Sequence, residues 1–202
     1  NIHNCFMRIV ILGSGNGSNA EVILKSSVEG QLGDTEVIGV FSDVEDSNIL
    51  THSKNYNIPA MFLDPGNGNS TISHEQENHW IREIKASNPD LIVLAGFMRI
   101  ISKRFLKTFD FKVINLHPSL LPSFPGLNSI EKAFNKKVKI TGCTVHWVNE
   151  EVDGGEIIAQ APVRIMDGDN LKLVEQKVHA AEHMLLPWVI RDLANGTISF
   201  LK

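Results

Sequence analysis

Asn115 and His117 stand two residues apart in Val113-Ile-Asn-Leu-His-Pro118. In a strand, side chains two apart share a face, so an amide and an imidazole converge there while Ile114 and Leu116 turn to the other side. One group can donate a hydrogen bond and the other can carry a proton. Further on, Asn149-Glu-Glu-Val-Asp153-Gly-Gly155 sets an acid beside two flexible glycines, in a connection long enough to bring Asp153 to His117. Each residue alone has an ordinary reading: a strand-end His is often a hydrogen-bonded structural residue, and Asp-Gly-Gly is a common turn. As a set they make a candidate centre. Pro118-Ser-Leu-Leu-Pro-Ser-Phe-Pro-Gly126, with three prolines, is a stiff wall beside it.

A second candidate is Gly13-Ser-Gly-Asn-Gly-Ser-Asn19, which follows the strand-like Arg8–Leu12 and enters a helix. Unpaired N–H groups and the positive end of the helix dipole suit an anion. The pattern is not GxGxxG and lacks the Lys-Ser/Thr ending of a P-loop, so a single phosphate fits it better than a dinucleotide or a nucleoside triphosphate. Ser18-x-x-Glu21 also reads as a capping box, and for the turn alone both readings stay open.

The elements that must hold these residues follow from periodicity. Met7 to about Asn55 reads as a βαβ unit, with a second strand at Val37–Phe41, so a parallel sheet is expected. Ile58–Leu63 is a further short strand, and His74–Ala86 has the helical spacing of Trp80, Ile81 and Ile84. Leu91–Ala95 and Lys112–Leu116 are apolar strands with a short helix between them. Ile140–Val148 and Glu156–Ile165 are expected as an antiparallel pair, and Leu171 to about Ala194 as a long closing helix with a kink at Pro187. The fold class is α/β: one domain over 7–202, a Rossmann-like, mostly parallel twisted sheet flanked by helices, preceded by a disordered tail over residues 1–6.

The 202-residue length fits one core. Apolar stretches fall short of the ~20 residues that cross a bilayer, and the start carries no basic stretch followed by an apolar segment, so no membrane contact and a cytoplasmic location are expected. A net charge of −4 argues against broad nucleic-acid binding. Cys5 and Cys143 do not make a disulfide framework.

At these segments the chain resembles the folate-dependent formyltransferases, through Asn115-Leu-His117-Pro-Ser-Leu-Leu-Pro122 with Asp153 downstream. Gly15-Asn-Gly-Ser-Asn19, Leu94-Ala-Gly-Phe-Met-Arg-Ile100, Phe124-Pro-Gly126 and Thr144-Val-His146 extend the likeness toward the branch acting on glycinamide ribonucleotide. The resemblance implies formyl transfer from 10-formyltetrahydrofolate to that amine, in purine biosynthesis, by a monomer or homodimer without metal. It implies that Asn115, His117 and Asp153 are catalytic, that Gly17, Ser18, Asn19 and Glu182 hold the ribonucleotide, and that Thr144 and His146 support the site. Phe97, Met98, Arg99, Ile100, Ile101, Asn115, Val152 and Asp153 would line the folate pocket. A basic folate contact that the family carries before its third helix has no counterpart around Ser73–His74.

The sequence holds rivals. His179-Ala-Ala-Glu182-His183 matches one zinc-peptidase pattern, but only a short tail with Asp192 follows to supply a third ligand. The methionyl-tRNA formyltransferases share the trio but carry a further C-terminal domain, and the formyltetrahydrofolate deformylases normally carry a further N-terminal one. A phosphate-binding module would leave Asn115, His117 and Asp153 unexplained.

Overall fold

A computed structural model describes residues 6–201. The expected tail over residues 1–6 therefore lies, apart from Phe6, outside the described residues, as does Cys5. The elements run β1 (Met7–Leu12), α1 (Ser18–Val28), β2 (Thr35–Ser42), α2 (Asn48–Asn55), β3 (Ala60–Phe62), α3 (His74–Ala86) and β4 (Leu91–Leu94). They continue through α4 (Lys103–Thr108), β5 (Val113–His117), α5 (Ser129–Asn135), β6 (Ile140–Trp147), β7 (Ile157–Arg164) and α6 (Leu171–Ala194).

One sheet takes the order β3-β2-β1-β4-β5-β6-β7. Its first five strands in that order are parallel, and β6 pairs antiparallel with both β5 and β7. The central strands are apolar at successive positions because both sheet faces are covered. In β1, Ile9 and Ile11 enter the core beside α1 and α6, while Val10 and Leu12 enter the core beside α3 and α4. The same alternation in β5 places Ile114 and Leu116 with the first core. Val113 joins the second, so Asn115 and His117 follow it on that face at the strand's carboxyl end.

After β3 at the edge, the chain returns to place β4 against the other side of β1. The connections leaving β1 and β4 diverge there, and open α/β sheets bind ligands in such a crevice. Pro187 sits inside a continuous 24-residue helix. Two short helices, α2 and α5, were not foreseen from periodicity.

Candidate active site

A cleft of about 540 Å³ opens at the carboxyl ends of β4 and β5. Its walls include the 96–101 connection, Asn115, His117, His146 and the 148–153 segment. Every residue expected to touch folate lines it, but not in one manner. Phe97 and Ile101 are buried, whereas Met98 and Ile100 are exposed. The Arg99 guanidinium turns away to Asp43, 2.7 Å off and almost fully buried, and to the carbonyl of Gly68. Arg99 thus ties the loop before α3 to the end of β2, and only the rest of the residue faces the cleft.

At the base of the cleft, His117 Nδ1 lies 3.4 Å from Asp153 Oδ2, with both side chains less than a tenth exposed. The other ring nitrogen is 3.0 Å from the carbonyl of Phe124 and 3.0 Å from Ser129 Oγ. That hydroxyl donates to the Gly126 carbonyl at 2.7 Å, which leaves it an acceptor toward the ring. A carbonyl and a spent hydroxyl can only accept, so Nε2 carries hydrogen. Nδ1 faces the Asp153 carboxylate. Asp153 is held in turn by the Gly126 N–H at 2.8 Å and adopts a left-handed φ of 54°, a conformation that Asp tolerates better than most residues. Gly155 is required sterically, because a Cβ there would lie 1.7 Å from the Trp147 carbonyl.

His146 belongs to this centre. It pairs with Asn115 across the β5–β6 ladder, and its Nε2 is 3.2 Å from Asn115 Nδ2. Its Nδ1 donates to the Trp147 carbonyl at 2.9 Å, so a neutral ring presents its lone pair to the amide. Burial pushes the His146 pKa below its ordinary value, outweighing the Trp147 hydrogen bond and Asp153, which act the other way. The neutral imidazole therefore takes one hydrogen of the Asn115 amide and leaves the second for a group in the cleft. Thr144, two residues back, accepts from the Leu121 N–H at 3.1 Å and donates to the Ser119 carbonyl at 2.7 Å, which anchors the proline-rich wall.

The glycine turn forms a separate cluster. The capping-box reading of Ser18 does not hold: the N-cap is Gly17, at φ 72°, with no side-chain cap bond, and Ser18 is already helical. A left-handed glycine packed against the Ile49 backbone makes this turn, which leaves the first N–H groups of α1 to face outward. Asn19 Nδ2 donates to Glu182 Oε2 at 3.4 Å, and His179 Nδ1 lies 2.8 Å from the same oxygen. That hydrogen bond pushes the His179 pKa up, whereas burial pushes His183 down. Asn19 Oδ1 and His183 Nε2 are buried without a protein partner. His179 is thus spent on Glu182, and among the described residues no three His, Cys, Asp or Glu side chains group as a metal site. The two clusters touch through Ser14, whose hydroxyl accepts the Met98 N–H at 2.8 Å and whose N–H donates to the Gly96 carbonyl at 3.1 Å.

Sequence reasoning missed Ser129 and the Phe124 carbonyl. Neither had a local signal, since both reach His117 only because the proline-rich segment folds back over the strand end.

This sheet with a buried His–Asp pair beside an oriented amide defines a class that the comparisons identify: residues 7–190 match the formyl transferase family, and the chain belongs to it. Among its relatives, it is 36% identical over 186 residues to the phosphoribosylglycinamide formyltransferase of Bacillus subtilis, covering 92% of this chain and 94% of that one. It is also 36% identical to the Escherichia coli protein of the same name, covering 95% and 89%. A crystal structure of glycinamide ribonucleotide transformylase 1 from Symbiobacterium toebii superposes with a TM-score of 0.89 at 35% identity, covering 97% of this chain and 91% of that one.

Proposed function

We propose that the chain transfers a formyl group from 10-formyltetrahydrofolate to the amine of 5-phosphoribosylglycinamide, giving N-formylglycinamide ribonucleotide and tetrahydrofolate in purine biosynthesis. The observation that carries this is the cleft itself, where the His117–Asp153 pair and the Asn115 amide face one space. Ser14 bonds its wall to the glycine turn.

The neutral amine attacks the formyl carbon, forming a C–N bond and moving an electron pair onto the formyl oxygen. Asn115 donates its free amide hydrogen to that oxyanion, and the protonated form of the His117 ring, held by Asp153, adds positive potential. The bond to the folate nitrogen then breaks, and the proton shed by the attacking amine ends on that leaving nitrogen, carried by a water held at the His117–Asp153 pair. The ribonucleotide phosphate sits on the N–H groups at Gly17, Ser18 and Asn19, and Glu182 takes the sugar side of the same substrate. The folate ring lies against Phe97–Ile101 and Val152.

All three central residues come from one chain, so a monomer suffices for this chemistry and a homodimer is compatible with it. Residues 7–202 act as the formyltransferase domain, in the cytoplasm. The test is absorbance-monitored consumption of 10-formyltetrahydrofolate, or its dideaza analogue, with and without the ribonucleotide. Consumption that needs the ribonucleotide is expected. Consumption without it would point to hydrolysis of the folate, and none at all would refute the transferase.

A further inference from the structure

We infer that Asp43 is a positioning residue for the folate half of the reaction: through Arg99 it holds the exposed 68–71 turn against the cleft wall, so that the ring pocket is shaped before the folate arrives. This rests on the folate reading above and concerns what gives that pocket its form.

The wall is built from two stretches distant in the chain. One is the 96–101 connection, and the other contributes Ser70, which lines the same cleft. Asn69, Ser70 and Thr71 are exposed, so their turn buries little surface of its own and depends on hydrogen bonds to keep its place. Its backbone meets the wall where the Ile100 N–H donates to the Ser70 carbonyl at 2.8 Å and Thr71 bridges Ile100 in parallel. The carbonyls on either side of Ser70 converge on one side chain. Arg99 Nη1 shares its hydrogens among the carbonyls of Gly68, of Asn69 at 3.3 Å and of Thr71 at 3.4 Å. Carbonyl dipoles aimed at one point repel each other, and a cation placed among them reverses the sign of that interaction. The turn is closed tightly enough that a Cβ on Gly68 would lie 2.3 Å from the Thr71 carbonyl oxygen.

A guanidinium on a flexible stem needs an anchor to stay in such a place. Asp43 supplies it. It directly follows β2, a strand flanked by β1 and β3, and its Oδ2 accepts from Arg99 Nε at 2.7 Å. The Asp43 side chain is 3% exposed and that of Arg99 18%. Oδ1 of Asp43 is buried with no hydrogen-bond partner among the described residues, so Arg99 is what answers this charge. A buried ion pair is a weak source of stability, because desolvation offsets the attraction, but it leaves the guanidinium a single direction. Asp43 thus sets Arg99, and Arg99 sets the turn that carries Ser70.

The experiment is calorimetric binding of a non-reactive dideaza folate and, separately, of the ribonucleotide, by Asp43→Asn, Arg99→Gln and the double variant. Asp43→Asn keeps the shape of the side chain and an acceptor for Nε but removes the charge. It is expected to weaken the folate analogue about fivefold, the scale on which a charged hydrogen bond exceeds a neutral one, and to leave the ribonucleotide within about twofold. Arg99→Gln should weaken the analogue at least as much, and the double variant no further than Arg99→Gln alone, because Asp43 acts through Arg99. Should Arg99→Gln fail to fold around its unpaired acid, Asp43→Asn carries the test, since it buries no unpaired charge. Unchanged affinity for the analogue in Asp43→Asn, which a purely structural pair would give even with a lowered Tm, would overturn the proposal. So would an equal loss for the ribonucleotide, or losses that multiply in the double variant. If the unmodified protein binds the ribonucleotide and not the analogue, the folate reading itself fails, and this inference with it.

Discussion

His146 accepts the side-chain amide of Asn115 at 3.2 Å, between residues that are partners across the β5–β6 ladder. The contact fixes which way the amide points, because the other nitrogen of His146 is committed as a donor to Trp147. A group read from sequence as a support thus orients the amide that we propose as the oxyanion donor.

His146→Ala should therefore behave as a partial loss of Asn115. We expect kcat to fall about tenfold to a hundredfold with little change in ribonucleotide KM, against a loss of about 10²–10³ for Asn115→Ala. Steady-state kinetics of the two single variants and the double variant test this. Full additivity of the two losses would show that His146 does not act through Asn115.

The pH dependence follows from the same ring. Burial holds the His146 pKa below its ordinary 6.5, so the neutral acceptor form persists below that pH. On unfolding, the ring regains the higher value and binds a proton that the folded state refuses. Stability contributed at this position is complete above about pH 6.5 and declines as pH falls below it. Denaturant melts between pH 5 and 7 should show a slope that His146→Gln makes shallower.

The elements around the site were legible to different depths. That Asn115 and His117 share a face was legible from a strand's period of two, whereas their grouping with Asp153 as a catalytic set came from the family resemblance. The sheet, α3 and α6 were visible because their buried residues recur at regular spacing. Helix α2 was not, since Asn-Ile-Leu-Thr-His-Ser-Lys-Asn buries only Ile49, Leu50 and Ser53 and is polar elsewhere. Helix α5 has seven residues behind a proline-rich segment and shows too short a pattern. The direction of the Arg99 guanidinium was beyond reach, because a long flexible side chain is placed by a partner, here Asp43, that is 56 residues away in the chain. The same holds for Ser18, where Gly17 rather than a side chain ends up capping α1.

Glu182 should act on one substrate only. It is buried, anchored by Asn19 and His179, and not among the residues lining the folate cleft. Glu182→Gln is expected to raise the ribonucleotide KM by about tenfold, roughly one charge-assisted hydrogen bond, and to leave the folate KM within twofold. A matching rise for the folate would contradict this division of the site.

Gly155→Ala should cost both stability and turnover. The added Cβ would stand 1.7 Å from the Trp147 carbonyl, so the loop that carries Asp153 must move. A drop in Tm of several degrees and a loss of at least tenfold in kcat are expected, since displaced catalytic geometry lowers rate steeply. Unchanged melting and kinetics would mean that the loop can shift without disturbing Asp153.

Cys143 should be inert. Burial, helped by the charge of Glu182, pushes its thiol up to about 12, so almost no thiolate exists at working pH. Mass spectrometry after treatment with a thiol alkylator should find Cys143 unmodified in the native protein and modified after denaturation.

The central claim is that His117 and Asp153 form one proton-handling unit serving an attack assisted by Asn115. Single-turnover formyl transfer to the ribonucleotide, measured for His117→Ala, Asp153→Asn and the double variant, tests it most directly. Each single variant is expected to lose at least a hundredfold, and the double variant about as much as the worse single one, because residues acting as a unit are not additive. Near-normal transfer in either single variant, or losses that multiply in the double, would contradict it.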